Sequence, residues 1–104
     1  MFIGTGWDIH KHSKSKPLTL GGVVFDEDGF EAHSDGDILL HALIDAILGA
    51  TGNKDIGHYF PSNQNTPDNI PSFEMLKEIL DEINFSSFVI NNIDLTIICE
   101  KPKI

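Results

Sequence analysis

The stretch Ser34-Asp35-Gly36-Asp37-Ile38-Leu39-Leu40-His41-Ala42-Leu43-Ile44-Asp45-Ala46-Ile47-Leu48 decides how the chain reads. Ser34 to Asp37 has the spacing of a capping box, with an acidic residue where the positive end of a helix dipole favours one. From Ile38 to Leu48 every side chain is apolar except His41 and Asp45. At about 100° per residue, Asp37, His41 and Asp45 fall on one stripe roughly 80° wide. A helix apolar nearly all round belongs inside a protein, so this polar stripe should line something internal. Gly49 and Gly52 mark the end of the helix.

Working outward, Leu18-Thr19-Leu20 and Val23-Val24-Phe25 flank Gly21-Gly22, which predicts a two-residue hairpin. Phe2 to His10 reads as a strand with Trp7 and Ile9 on one face and Asp8 and His10 on the other. Gly4 and Gly6 within it suggest close approach of another backbone. Residues 26–36, acidic and glycine-containing, read as loop. Beyond the helix, Asn53 to Pro71 reads as a long loop punctuated by Gly57, Pro61 and Pro67. Ser72 is placed to cap a second helix reaching about Asn84, with Phe73, Leu76, Ile79, Leu80 and Ile83 as its buried stripe. Ile93 to Cys99 reads as a strand. The expected fold is α+β, a mixed β-sheet with helices packed on one face, forming a single domain over residues 1–104.

Composition narrows the function. The net charge is −9 and all seven cations are lysines, with no arginine. A nucleic-acid backbone calls for a basic face, so it is excluded as a partner. A phosphorylated small molecule would have to be met by a metal, backbone N–H groups, a helix start or the lysines, because bidentate guanidinium clamps are missing. No apolar run approaches the ~20 residues of a membrane span. The segment from Met1 to Asp8 has neither the basic nor the apolar region of a signal peptide. A single cysteine, Cys99, fits a reducing compartment.

Asp8-x-His10 on a strand places a carboxylate and an imidazole on one face, about 7 Å apart along the backbone. His41, on the polar stripe of the helix, is the natural third ligand for an ion. One Asp and two His suit Zn²⁺ and leave a fourth position open, as catalytic sites do. Asp45 or Asp37, one turn to either side, could accept the second N–H of His41. His12 also falls on the Asp8 and His10 face if the strand continues, so spacing alone does not choose the ligand set. A lone histidine on a buried helix is also commonly a hydrogen-bonded core residue. His33 and Ser34 precede the helix start, where phosphate oxygens are favoured; Ser34 as a cap needs no further role.

The blocks Gly4-Thr5-Gly6-Trp7-Asp8-Ile9-His10, Gly21-Gly22-Val23, Ala32-His33-Ser34-Asp35-Gly36-Asp37 and His41-Ala42-Leu43-x-Asp45-Ala46 resemble, in order, the signature of the 2-C-methyl-D-erythritol 2,4-cyclodiphosphate synthase family. Asp55-Ile56-Gly57, Phe60-Pro61, Asn92-Ile93-Asp94, Thr96-Ile97-Ile98 and Lys101-Pro102-Lys103 continue the match over the whole chain. Any one block is weak; the combination is specific.

The resemblance implies that Asp8, His10 and His41 bind Zn²⁺, one ion per subunit. It implies a catalytic His33 that stabilises the transition state, and Ser34 with it on the substrate's phosphates. Asp8, Ile9 and His10 also count among the substrate-contacting positions. Asp55, Ile56 and Gly57 match a ribose-contacting segment, and Phe60, Pro61, Ser62, Asn63 and Gln64 a stretch near the methylerythritol moiety. Ser62-Asn63-Gln64 departs from the acidic residues usual there. Cys99, Glu100, Lys101, Pro102, Lys103 and Ile104 match the start of a cytosine pocket.

The implied reaction converts 4-diphosphocytidyl-2-C-methyl-D-erythritol 2-phosphate to the 2,4-cyclodiphosphate and CMP by intramolecular phosphoryl transfer, in isoprenoid precursor synthesis without mevalonate. The resemblance further implies homotrimers with active sites between subunits, in bacterial cytoplasm or plastid stroma. Family members continue past Ile104 with a Thr-Thr-x-Glu block, which serves a second divalent cation, Mg²⁺ or Mn²⁺. A chain ending at Ile104 is therefore expected to be an incomplete domain, weakly folded or inactive. Two other readings use the same residues: a zinc hydrolase working through a metal-bound hydroxide, and a non-catalytic module that only binds metal or nucleotide.

Overall fold

The computed structural model describes residues 1–63 and 66–103. Two strands, β1 (His12–Leu20) and β2 (Val23–Phe30), are followed by helices α1 (Ile38–Ala50), α2 (Ile56–Tyr59) and α3 (Ser72–Glu82) and a 3₁₀ turn at Phe85–Ser87. This is an α+β arrangement. Among the described residues, however, the sheet is two-stranded and antiparallel rather than mixed.

The hairpin forms where the sequence places it, with Gly21 and Gly22 at φ +61° and +80°. Those left-handed values are what a two-residue turn between twisted strands demands, and glycine adopts them without penalty. Leu20 faces Val23 and Leu18 faces Phe25, but the register slips on either side of Pro17. Proline has no N–H to give the ladder, so the pairing bulges there. The second strand runs on through Asp26 to Phe30, which corrects the loop expected over 26–36. Acidic side chains are tolerated because all of Val23 to Asp28 is exposed, and Phe30 anchors the strand's far end in the core.

Among the described residues, two apolar clusters hold the molecule. Leu18, Leu20 and Phe30 pack with Ile38, Leu39 and Cys99, joining the hairpin to the start of α1. Ile44, Leu48, Met75 and Ile79 pack α1 on α3, with Ile56, Tyr59, Phe60 and Ile70 of the intervening segment around them. The helix α1 is buried along Leu40, His41, Ile44, Ile47 and Leu48 rather than all round. In α3 the buried residues are Ser72, Met75 and Ile79, while Phe73 is half exposed beside the hairpin turn. Phe73 therefore leaves the stripe expected for it, and the unbranched Met75 fills the core position.

Asp37, not Ser34, caps α1: its carboxylate accepts from the N–H of Leu40 at 3.1 Å. The same buried carboxylate accepts from Gly21 N at 3.0 Å and Gly22 N at 2.8 Å, tying the hairpin turn to the helix start. Asp37 is therefore the joint between the sheet and the helix.

The segments expected as strands at Phe2–His10 and Ile93–Cys99 belong to no ladder among the described residues. The first instead lies directly on α1. A Cβ on Gly4 would stand 1.8 Å from the Ala46 carbonyl oxygen, and one on Gly6 equally close to that of Ala42. The expected alternation survives without the ladder: Trp7 and Ile9 are exposed, while Asp8 and His10 turn inward. Within this chain the segment's neighbour is a helix, whose backbone groups are already paired, so no cross-strand bonds form.

Candidate metal centre

The N-terminal segment crosses α1 so closely that Asp8 and His10 meet His41. One ligand atom from each of the three residues lies within 4.8 Å of the others. Asp8 Oδ2 stands 3.0 Å from His10 Nε2 and 3.0 Å from His41 Nδ1. His12 is not in the cluster; its ring lies against Phe30 at a centroid distance of 4.8 Å.

The remaining ring nitrogens decide what the cluster can hold. His10 Nδ1 donates to the Glu31 carbonyl at 2.8 Å. A carbonyl can only accept, so the His10 proton is on Nδ1 and the lone pair of Nε2 faces Asp8. His41 Nε2 stands 2.8 Å from Ser72 Oγ and 3.1 Å from Ser34 Oγ. The Ser72 hydroxyl donates to the Asp35 carboxylate, so toward His41 it accepts. The proton of His41 is then on Nε2 and the lone pair of Nδ1 also faces Asp8.

Three acceptors converge on one point, and only a cation satisfies them: a metal ion, or extra protons on the rings. Two imidazole nitrogens and a carboxylate oxygen, each neutral ring braced from behind, form a donor set that fits a borderline divalent ion and leaves coordination positions open. When extra protons on the rings supply that cation, burial pushes the Asp8 carboxyl up, but His41 as hydrogen-bond partner and the attraction of His10 and His41 outweigh it. The group sits below the ordinary carboxylate range and stays ionised.

The brace of His41 corrects the sequence reading, which looked to Asp45 or Asp37. Asp37 is occupied as the cap. Asp45 accepts from Ile56 N at 2.7 Å and so holds the start of α2. Ser34, read as a cap, is buried and turned toward His41, its Oγ accepting from Gly36 N at 3.1 Å. Ser72, also read as a cap, occupies the first position of α3 and makes no such bond; its N–H and hydroxyl both go to Asp35. Ser72, Asp35 and the Glu31 carbonyl are the parts the sequence did not single out. Asp35 lay in plain view within the His-Ser-Asp-Gly-Asp block, whereas nothing local links Ser72 to His41 across 31 residues.

The other sequence-predicted positions are distributed over several elements. His33 faces two acceptors, the Thr66 carbonyl through Nε2 and Asp68 through Nδ1 at 3.1 Å. Lys16 Nζ donates to the Ala32 and Ser34 carbonyls at 2.6 and 2.5 Å, pinning the loop that carries His33. Asp55 caps α2, in which Ile56 is half-buried and Gly57 exposed. Phe60 packs against the α1–α3 core, Pro61 is half-buried, and Ser62 and Asn63 are exposed. Ile9 points outward. Cys99 packs against the hairpin cluster, with Sγ donating to the Pro102 carbonyl at 3.3 Å, while Glu100, Lys101 and Lys103 are exposed. Gln64 and Ile104 lie outside the described residues.

The family model described as the YgbB family matches residues 1–104. The chain belongs to the YgbB family. Among relatives of this YgbB-family chain, the 2-C-methyl-D-erythritol 2,4-cyclodiphosphate synthase of Buchnera aphidicola is 51% identical over 104 residues, which are 99% of this chain and 65% of that protein. The chain thus spans about two thirds of the length of that curated relative. Among solved structures, the bifunctional IspDF of Campylobacter jejuni superposes with TM-score 0.72 at 44% identity, covering 80% of this chain and 23% of that one. A CDP-bound 2C-methyl-D-erythritol-2,4-cyclodiphosphate synthase superposes with TM-score 0.69 at 37% identity, covering 82% of this chain and 57% of its own. No described helix is long and apolar enough to cross a membrane.

Proposed function

We propose that these residues serve the cyclisation of 4-diphosphocytidyl-2-C-methyl-D-erythritol 2-phosphate to 2-C-methyl-D-erythritol 2,4-cyclodiphosphate with release of CMP, using Zn²⁺ held by Asp8, His10 and His41. The observation that carries the reading is the convergence of three acceptor atoms whose other bonds are already committed. CDP bound to a relative of the same fold supports a cytidine diphosphate-linked substrate.

In this reaction the 2-phosphate oxygen attacks the β-phosphorus and the bond to the CMP oxygen breaks, so no protein nucleophile is required. Bound Zn²⁺ supplies positive charge to the diphosphate, which a chain of net charge −9 without arginine otherwise lacks. His33 supplies an N–H to the phosphates. Its partner Asp68 has a side chain 83% exposed, and so weakly held a pair can be exchanged for a phosphate oxygen at little cost. Asp55 to Gly57 would meet the ribose, Phe60 to Gln64 the methylerythritol moiety and Cys99 to Ile104 the cytosine. A second cation, Mg²⁺ or Mn²⁺, takes its protein ligand outside these residues.

The subunit is read as part of a homotrimer with the site between subunits. Trp7 and Ile9 are 83% and 84% exposed and Ile98 88%, an amount of bare apolar surface that in water favours cover by another chain. Light scattering of the purified protein should return three times the protomer mass.

The activity test is CMP release from the cytidylyl substrate, which EDTA should abolish and Zn²⁺ restore. Full activity with no bound metal would end the reading. The hydrolase alternative is separated by running the reaction in ¹⁸O-water, since cyclisation leaves no label in the product.

A further inference from the structure

We propose that Ser72 and Asp35 are positioning residues that fix the tautomer of His41, holding its proton on Nε2 so that Nδ1 faces the metal. The inference rests on the metal reading of Asp8, His10 and His41 and goes beyond it, because neither residue is a ligand.

The geometry runs in one direction only. Asp35 is oriented by three donors: the Ser72 hydroxyl, Ser72 N at 2.9 Å and Asp37 N at 3.1 Å. Its own N–H donates to the Ile70 carbonyl at 3.1 Å, so the loop before α1 is stitched to the start of α3 from both sides. A carboxylate accepts, hence the Ser72 proton points at Asp35 and the Ser72 lone pair points at His41 Nε2, 2.8 Å away. His41 and Ser72 are both buried, which keeps water from offering the ring an alternative partner. Ser34 Oγ, at 3.1 Å from the same nitrogen, is the weaker neighbour: its hydroxyl is free to act either way and specifies no tautomer. With the wrong tautomer, Nδ1 would carry a hydrogen into the metal's position and the three-ligand set would be reduced to two.

Ser72→Ala removes the acceptor while leaving the Ser72 N–H bond to Asp35 in place. Asp35→Asn tests the same chain with nearly unchanged volume: the amide offers one oxygen where three donors converge, so the Ser72 hydroxyl loses its fixed charged acceptor and is free to donate to Nε2, which drives a proton onto Nδ1. The test in the intact protein uses Zn²⁺ and Co²⁺ titrations, the Co²⁺ ligand-field spectrum, and ¹⁵N chemical shifts of the metal-free His41 ring followed upward in pH until the ring is neutral. Thermal unfolding monitors the fold. Wild type should show an Nε2–H tautomer. Both variants should show a mixed or reversed one and bind Zn²⁺ roughly ten- to hundredfold more weakly, the range typical of groups that brace a ligating histidine. His41→Ala should all but abolish binding. If His41→Ala does so while both variants keep wild-type affinity and the Nε2–H tautomer, the positioning role is overturned and the metal site stands. If wild type binds neither ion, or His41→Ala binds as well as wild type, the metal reading falls and this inference with it.

Discussion

Asp8, which lies against α1, and Asp45, which belongs to it, stand in opposite electrostatic circumstances. Asp8 is lowered: burial works against it, but the two imidazoles win. Asp45 is raised, first by burial; the Ile56 N–H opposes this, and the negative charges of Asp55 and Asp8 add to it. The signs follow from linkage. A lowered carboxyl contributes stability above its unfolded value, near 3.9, and loses it as pH falls through the lowered folded value. A raised carboxyl contributes stability below that unfolded value and loses it as pH rises through the raised folded one. In chelator-treated protein, Asp8→Asn should therefore be destabilising at pH 7 and least so in acid. Asp45→Asn, whose amide oxygen can still accept from Ile56, should be stabilising at pH 7 with the gain shrinking toward pH 4. Denaturant melts across that range check both, and a gain for Asp45→Asn that grows in acid would contradict the assignment. Asp37 offers a larger effect. Its buried carboxylate serves three N–H groups of two elements. Asp37→Ala should cost about 2–4 kcal/mol in urea unfolding, more than a lone cap, because the Gly21 and Gly22 donors are orphaned as well.

Among elements, the decisive contact is the N-terminal segment lying across α1. Gly4 and Gly6 let it reach the backbone at Ala46 and Ala42, and no side chain fits there. Gly6→Ala should lift the segment from the helix, carrying Asp8 and His10 away from His41. The expected result is an overpacking cost of about 1–3 kcal/mol together with a loss of metal affinity out of proportion to the loss of stability. Isothermal titration beside thermal melts would show it; unchanged affinity would mean that the ligands are placed by something other than this contact. The sequence flags both glycines for close approach of another backbone, within a segment that reads as a strand, without saying which backbone approaches. A period-two pattern reports which side chains face inward and is silent on what backbone lies opposite. For the same reason Ile93–Cys99 was read as a strand without a partner being identified.

For the whole molecule, an ion bound by Asp8, His10 and His41 would staple the first ten residues to the middle of α1. Removing it should lower the melting temperature, with about 2.7 kcal/mol at stake when free metal is a hundredfold above its dissociation constant. Protons compete for all three ligands, so the stabilisation by metal should fade on acidification. Differential scanning fluorimetry with and without EDTA at pH 7.5 and pH 5 measures both; a melting point indifferent to EDTA at pH 7.5 would remove the staple.

Elements set by short-range chemistry were legible from the letters: the Gly21-Gly22 turn, the apolar run of α1, and the inward alternation that pairs Asp8 with His10. The cluster of Asp8, His10 and His41 was legible in part: His41 is one of only two polar residues in that run, but spacing left His12 open beside Asp8 and His10, and the family resemblance chose the set. What the letters left open was which distant partner takes up each of the other buried polar groups. Asp37 went to the hairpin, Asp45 to α2, and His41 to Ser72 with Asp35 behind it, where simple helical proximity had paired these residues with one another. Buried hydrogen-bond groups must be satisfied, but which of several chemically equivalent partners satisfies them depends on the distance and angle at which packed elements meet. That is a property of the apolar packing between α1, α3 and the hairpin, and it is decided only when the chain folds.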